Sequence, residues 1–254
     1  MNADLPSARS LDDRIALVTG ATRGIGHAIA LGLARAGAHV ICVGRTQGAL
    51  EALDDEIRGI RGESATLVPM DLADGDGVDR LGAAIFERWG RLDICVAAAG
   101  VLGLTTPIAH LAPKVWDQVL AVNLTANYRL IRSMDLLLRQ AESARLVFLT
   151  SGAAAHPRAF WGPYAASKAA LEALAAVYAD EVENTQIRVA VVNPGPMRTR
   201  MRAQAFPGED PMTLPAPDEI VPLILELASP KSTPPKGVVS FPEWRQARST
   251  PPAA

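Results

Sequence analysis

The stretch Ile15-Ala-Leu-Val-Thr-Gly-Ala-Thr-Arg-Gly-Ile-Gly-His27 decides the fold of this 254-residue chain. Residues 15–19 form a short apolar run that leads directly into a turn holding Gly20, Gly24 and Gly26, and an Ala- and Leu-rich segment follows. Glycines at such a turn let the backbone bend tightly and let a helix begin close to the strand. The N–H groups at the start of that helix favour a bound phosphate. We therefore interpret the stretch as a nucleotide-binding strand–helix unit, the alternative being a purely structural turn.

The same alternation of short apolar runs and longer helical segments continues along nearly the whole chain. Most of the runs are apolar at every position, which is typical of strands buried on both faces of a parallel sheet. The pattern predicts an α/β fold: a single-domain, Rossmann-like, doubly wound parallel sheet of about seven strands with helices on both faces. The predicted strands are 15–19, 40–43, 66–68, 92–98, 146–150, 189–192 and 238–241, and the predicted helices are 25–36, 48–60, 78–89, 115–138, 165–183 and 217–227.

No composition break divides the chain, so residues 1–254 are expected to form one domain with flexible tails at 1–12 and 243–254. Residues 194–217 contain six prolines and predict a long loop over the substrate. Five apolar side chains in that segment suggest a lid: Met197, Met201, Phe206, Met212 and Leu214.

Charge and composition exclude several classes of partner. The chain has 25 Lys and Arg against 27 Asp and Glu, a net charge of −2, so nucleic acid and anionic membranes are not expected partners. The first 13 residues lack an apolar block, and the longest apolar stretch, 94–108, is broken by glycines and a proline. Cys42 and Cys95 are expected to be buried, and the four histidines show no metal-ligand spacing, so no metal is expected. A cytoplasmic location follows as the expectation.

Six landmarks at the ends of predicted strands resemble the short-chain dehydrogenase/reductase family over residues 13–241. These are Thr19-Gly-x-x-x-Gly-x-Gly26, Asp71-Leu72, Ala97-Ala-Ala-Gly100, Asn123, Ser151 with Tyr164-x-x-x-Lys168, and Asn193-Pro-Gly-Pro-Met-Arg-Thr199. The resemblance implies an oxidoreductase that transfers a hydride between a nicotinamide cofactor and a carbonyl or alcohol.

Charge at the end of the second predicted strand bears on which cofactor is used. NAD sites usually carry an acidic residue there, whereas this strand ends in Arg45 with no carboxylate before Glu51. Arg45, helped by Arg23, predicts a preference for NADP(H) over NAD(H), the alternative being that both arginines are ordinary surface charges. By resemblance, Asp71 binds the adenine amine and Met197 and Thr199 lie near the nicotinamide. The cofactor-binding set is Gly20, Thr22, Arg23, Gly24, Ile25, Gly26, Arg45, Asp71, Leu72, Ala97, Ala98, Gly100, Tyr164, Lys168, Pro194, Gly195, Met197 and Thr199.

The expected catalytic residues are Asn123, Ser151, Tyr164 and Lys168. Tyr164 and Lys168 are four residues apart and share one helix face. The lysine ammonium is expected to bring the tyrosine pKa down from its usual value near 10, so that Tyr164 acts as general acid or base. Ser151 is expected to bind the substrate oxygen. By resemblance, Asn123 holds a water that links Lys168 to solvent.

The sequence leaves the substrate open: fatty acyl thioesters, steroids, sugars and quinones all fit, and a 3-oxoacyl thioester is a guess from the family alone. A non-catalytic NADPH-binding sensor or scaffold is the main alternative function, and an epimerase or dehydratase is another. Ala97 stands where the family usually has Asn, and residues 236–241 lack the usual C-terminal signature. A homodimer is therefore expected, with a tetramer as the alternative.

Overall fold

The computed structural model describes residues 10–249 and contains one seven-stranded parallel sheet in the order β3-β2-β1-β4-β5-β6-β7. This confirms the predicted Rossmann-like class. The chain order reverses between β1 and β4, and in such sheets ligands bind at the carboxyl ends of the strands beside that reversal. The strands are β1 Ile15–Thr19, β2 His39–Gly44, β3 Thr66–Pro69, β4 Ile94–Ala97, β5 Ala144–Leu149, β6 Ile187–Asn193 and β7 Val238–Ser240.

Helices cover both faces of the sheet. Side chains of α1, α2 and α9 pack into one core and those of α3, α5 and α7 into the other. The helices are α1 Gly24–Arg35, α2 Gln47–Arg61, α3 Gly75–Trp89, α4 Pro113–Leu120, α5 Ala126–Gln140, α6 Gly152–Ala155, α7 Gly162–Glu181, α8 Arg200–Ala205, α9 Val221–Ala228 and α10 Phe241–Ser249.

The strands read as continuously apolar because each supplies both cores. In β1, Ala16 and Val18 lie in the core under α1, whereas Ile15 and Leu17 lie in the core under α5. Successive side chains of a strand point to opposite faces, so a strand covered on both sides needs an apolar residue at every position. Cys42 and Cys95 are buried in these strands, and burial raises the pKa of each thiol to about 12.

Two internal segments differ from the sequence prediction. The single helix predicted over 115–138 is divided by a π-helical turn at Ala121–Thr125. The predicted loop 194–217 contains α8 and a 3₁₀ turn at Pro211–Thr213, because Thr199 and Asp210 accept hydrogen bonds from the N–H groups of Arg202 and Met212 and so cap these turns.

The predicted flexible tails also need correction where the structure describes them. Residues 243–249 belong to α10, which Trp244 and Arg248 hold to Glu226 of α9 by contacts of 3.2 and 2.6 Å. At the other end, Leu11 is buried and its N–H donates to the Ala36 carbonyl at 2.8 Å. Residues 1–9 and 250–254 lie outside the described residues.

The glycine turn is built on a close backbone approach. A side chain at Gly26 would place its Cβ 2.3 Å from the Gly20 carbonyl oxygen, and one at Gly20 would place it 2.8 Å from Ala99 Cα. Gly20 also has a positive φ of 68°, which side chains disfavour. The first turn of α1 therefore contacts the end of β1, and the end of β1 contacts the loop after β4.

We expect Gly26→Ala and Gly59→Ala to change stability in opposite directions. The alanine at position 26 forces helix α1 away from β1, whereas Gly59 is an exposed residue of helix α2 with open space around it. Gly59→Ala should raise the free energy of unfolding by roughly 0.5–1 kcal/mol, because alanine loses less backbone entropy on folding. Gly26→Ala should lower it by roughly 1–3 kcal/mol, as overpacked sites do. Denaturant titration of both variants measures this; a Gly26→Ala protein as stable as wild type would contradict the close approach.

Candidate active site

One cleft of about 1000 Å³ opens at the carboxyl ends of the strands and brings most of the predicted site residues together. It is lined by every predicted cofactor-binding residue except Ala97, and by Ser151. Ala97 is instead buried as the last residue of β4, paired with Thr19 of β1 and Phe148 of β5, and its assignment to the cofactor stays a prediction. The pairing also shows that the sheet stays joined without an asparagine there.

The glycine end of the cleft fits a dinucleotide phosphate. Helix α1 begins after Arg23 with no side-chain cap and no acidic residue in its first turn. Its first N–H groups and positive dipole end therefore remain free for an anion. Across the cleft, Thr199 Cγ2 lies 3.5 Å from the point where a Gly24 side chain would begin, so the glycine turn faces the loop after β6.

The residues at the ends of β2 and β3 carry opposite charges. Arg45 Nη1 lies 3.9 Å from Asp71 Oδ2, and both side chains are about half exposed. Arg23 is exposed on the glycine turn and also lines the cleft. Two guanidinium groups and one carboxylate therefore surround the position where the sequence places the adenosine end of the cofactor.

Tyr164 and Ser151 form the polar centre of the cleft. Ser151 follows β5 and caps α6, its Oγ accepting from the Ala153 N–H at 3.2 Å. Tyr164 lies in the first turn of α7. Burial raises the pKa of Tyr164, and a hydrogen bond with Ser151 opposes that rise. In the cofactor-free protein burial dominates, and the expected lowering of this pKa by Lys168 together with a positively charged nicotinamide stays a prediction.

Lys168 is buried one helical turn beyond Tyr164. Its Nζ lies 6.0 Å from the Tyr164 ring centroid and donates to the Leu149 carbonyl at 2.8 Å. Burial lowers the pKa of Lys168 to about 8, and the charge of Glu172 partly opposes that change. The ammonium is thus placed beneath Tyr164 at the end of β5.

Asn123 lies in the π-helical turn and is fully buried, so it does not line the cleft. Its Oδ1 accepts from the Val101 N–H at 2.9 Å, and its Nδ2 donates to the Val101 carbonyl and to Ser167 Oγ. Asn123 Oδ1 and Lys168 Nζ lie 3.5 and 3.6 Å from the point where a Gly100 side chain would begin. The Asn123 side chain therefore ties the loop after β4 to α7, and the role of Asn123 in holding a water stays a prediction.

The sequence interpretation missed Glu172. It follows Lys168 by four residues on the same face of α7, and Thr150 Oγ1 donates to its Oε1 at 2.6 Å. Leu149 and Thr150 are consecutive, and α7 binds both of them: Lys168 donates to the Leu149 carbonyl and Glu172 accepts from the Thr150 hydroxyl. Helical periodicity applied beyond the Tyr-x-x-x-Lys pair would have found this contact.

The other end of the cleft is apolar and aromatic. Trp161 packs edge-on against Tyr164 and tilted against Phe206, each at 5.7 Å between ring centroids. Of the five predicted lid residues, Met197, Met201 and Phe206 line the cleft. Met212 is exposed and contacts Arg198, and neither it nor Leu214 lines the cleft, so their lid assignment is wrong. His156 lines the cleft while remaining exposed.

Residues 10–249 contain neither a metal-binding cluster nor a membrane-spanning helix. In that part of the chain no group of three or more His, Cys, Asp or Glu residues is placed to hold a metal ion. None of its helices has the length and apolarity to cross a membrane.

An uncapped helix start and the side chains of Ser151, Tyr164 and Lys168 lie in one cleft, which is the arrangement that the sequence predicts for a nicotinamide-dependent oxidoreductase. The short chain dehydrogenase family model matches residues 14–210, and the chain belongs to that family. It is 40% identical over 224 residues to the oxidoreductase YciK of Escherichia coli K12, covering 87% of this chain and 88% of that one.

Solved structures of similar proteins agree. A short-chain dehydrogenase from Shigella flexneri 2a complexed with NADP has a TM-score of 0.88 at 38% identity, covering 92% of this chain and 98% of its own. One from Escherichia coli CFT073 complexed with NADPH has a TM-score of 0.87 at 38% identity, covering 93% and 98%. The protein is an oxidoreductase of this family.

We expect the buried Lys168 ammonium to make stability depend on pH. A lysine in the unfolded chain titrates near 10.4, whereas the folded pKa is about 8. Below pH 8 both states hold the proton, and the cost of burying the charge is fully present. Between about pH 8 and 10.4 the unfolded state binds more protons, so that destabilisation is lost as pH rises.

Denaturant titrations of the cofactor-free protein at pH 7.5 and 9.5 measure this effect. Relative to Lys168→Met, wild type should gain on the order of 1–2 kcal/mol of unfolding free energy between these two values. Lys231→Met, at an exposed position, is the control and should track wild type. If the free energies of unfolding of wild type and Lys168→Met changed equally with pH, the result would contradict the buried charge.

Proposed function

We propose that the protein is an NADPH-dependent carbonyl reductase that also runs the reverse oxidation of an alcohol with NADP⁺. The observation that carries the proposal is that Ser151, Tyr164 and buried Lys168, whose Nζ lies 6.0 Å from the Tyr164 ring centroid, line the same cleft as the uncapped start of α1. The cofactor supplies a hydride to the carbonyl carbon when it is bound. The residues described below bind the substrate oxygen and give it a proton.

The proposed roles follow from the environment of each group. Tyr164 is buried with a raised pKa and so stays protonated, which is the form needed to donate a proton to a carbonyl oxygen. Ser151 donates a second hydrogen bond to that oxygen as negative charge develops there. Lys168, held on the Leu149 carbonyl, places positive charge beneath the ring and favours replacement of the lost proton. In reduction the carbon gains the hydride, the oxygen gains the Tyr164 proton, and an alcohol results.

Preference for NADPH over NADH is part of the proposal. Arg45 and Arg23 line the end of the cleft beside β2, where a 2′-phosphate would receive charge-assisted hydrogen bonds. Asp71 lies close enough to Arg45 to orient its guanidinium group. The NADP and NADPH complexes of the similar proteins are consistent with this choice.

The alternative of a non-catalytic sensor explains the glycine turn but not the second half of the cleft. A sensor needs no buried ammonium beneath a tyrosine that is hydrogen-bonded to a serine.

A 3-oxoacyl thioester as substrate and a cytoplasmic location stay predictions. The proposed homodimer is supported by exposed apolar side chains on α5 and α7, namely Tyr128, Leu136 and Val177.

Three variants test the chemistry by separating turnover from cofactor affinity. Tyr164→Phe removes one hydroxyl and keeps the ring, so turnover should fall by about 10²–10⁴-fold while NADPH still binds. Ser151→Ala should also lower turnover with little change in NADPH affinity. Lys168→Ala should lower both. Turnover is measured as the steady-state rate on a carbonyl compound that the wild-type protein reduces, and cofactor affinity by NADPH fluorescence titration. Near-normal turnover of Tyr164→Phe would show that the proton donor lies elsewhere.

Cofactor preference is tested by Arg45→Asp. A hydrogen bond to a charged group contributes about 1.5–3 kcal/mol, so NADPH affinity should fall about ten- to hundredfold while NADH affinity is unchanged or improved. Arg80→Asp makes the same charge change on α3, at a residue that does not line the cleft, and should leave both affinities alone. A wild-type protein that binds NADH more tightly than NADPH would overturn this part of the proposal.

A further inference from the structure

The half of the cleft beyond Tyr164, which we call the substrate half, is basic. It is lined by Arg158, Arg202 and His156 together with apolar and aromatic side chains. Among the described residues that line the whole cleft, the one carboxylate belongs to Asp71, which lies with Arg45 at the adenosine end. The chain as a whole has a net charge of −2, so this excess of arginine is local and not a property of the overall composition.

The arginines of the cleft differ in what they already bind. Arg202 is committed to Glu209, whose two oxygens accept from its Nε and Nη2 at 2.5 and 2.6 Å. Arg200 also lines the cleft and is exposed, and it follows Thr199, which packs beside Gly24 of the glycine turn. Arg158 is exposed, and no carboxylate of residues 10–249 lies within 4.0 Å of its guanidinium nitrogens. Arg158 is therefore a cation of the substrate half without a carboxylate partner among the described residues, and it is free to bind an anion.

Aromatic rings connect Arg158 to the proton donor. The Arg158 Cζ lies 5.9 Å from the centroid of the Phe206 ring, which contacts Trp161, and Trp161 in turn contacts Tyr164. The Trp161 and Phe206 rings therefore form an aromatic surface between Tyr164 and Arg158 on which the body of a bound molecule can pack, with Arg202 Cζ 3.8 Å from the Phe206 centroid. Leu102 and Met201 also line the cleft and add apolar surface for the body of such a molecule.

We infer that the substrate is an anionic carbonyl compound: an apolar or aromatic body with the reducible carbonyl at one end and a carboxylate or phosphate at the other, bound by Arg158. This inference rests on the proposed function and specifies its substrate class. A guanidinium group binds carboxylate and phosphate through two parallel N–H donors, and flat apolar groups pack on Trp and Phe.

Matched aldehydes that differ in charge test the inference. The probes are 4-formylbenzoate, its neutral methyl ester, 4-formylphenyl phosphate and benzaldehyde, each reduced with NADPH by wild type, Arg158→Gln and Arg80→Gln. In wild type, kcat/KM should be at least tenfold higher for one or both anions than for the neutral probes. Arg158→Gln should remove that preference, lowering kcat/KM for the favoured anion about ten- to hundredfold and leaving the neutral probes and NADPH affinity unchanged. Arg80→Gln should behave as wild type.

A binding measurement keeps the test independent of turnover. Saturation-transfer NMR of benzoate and of benzyl alcohol with the NADP⁺-loaded protein should show transfer to benzoate in wild type and its loss in Arg158→Gln. Equal transfer to both compounds, or benzoate binding that survives in Arg158→Gln, would overturn the assignment. So would equal or higher kcat/KM for the neutral probes.

Failure of the inference and failure of the proposed function give different results. If neutral aldehydes are reduced and Tyr164→Phe abolishes that reduction, the reductase proposal stands even when the anionic probes are not preferred. If benzoate binds through Arg158 but no carbonyl is reduced, the anion site stands and the reductase proposal falls. The relative rates of the carboxylate and phosphate probes distinguish the two anions.

Discussion

The absence of a side chain at Gly26 is the constraint on which the rest of the site depends. Because nothing stands between this position and the Gly20 carbonyl, helix α1 can begin in contact with the end of β1. Its uncapped N–H groups then face the cleft at the reversal of strand order, where an anion can be bound without a charged side chain. Gly20 extends the same constraint to the loop after β4, which carries Gly100 next to Lys168.

A second set of contacts fixes the reacting groups. Leu149, the last residue of β5, and Thr150, which follows it, are bound along a single face of α7 by Lys168 and Glu172, and Ser151 and Tyr164 line the cleft beside them. A strand and a helix rise by different distances per residue, so these contacts at consecutive strand positions hold the helix in one register. The serine and the tyrosine are thereby placed on rigid elements, which is how hydrogen-bonding groups reach the precision that catalysis needs.

Burial shifts the pKa values of Tyr164 and Lys168 in opposite directions. A protonated tyrosine is favoured because its anion would lose solvation, and the lysine is more easily deprotonated for the same reason. Both effects hold in the cofactor-free protein and are suited to donating a proton to a carbonyl oxygen. The charge of Glu172 limits the second effect and helps to keep the ammonium charged beneath the ring.

The sequence by itself determined the sheet, the glycine turn and the Ser–Tyr–Lys set, because each depends on local patterns: continuous apolar runs, glycine spacing and a separation of four residues on a helix. Only the tertiary structure decided features that depend on neighbours distant in the chain. Ala97 is enclosed by adjacent strands, and residues 243–249, predicted to be part of a flexible tail, belong to a helix held by Glu226. Likewise, no linear pattern encodes that Arg202 is paired with Glu209 while no carboxylate of residues 10–249 lies within 4.0 Å of the Arg158 guanidinium nitrogens.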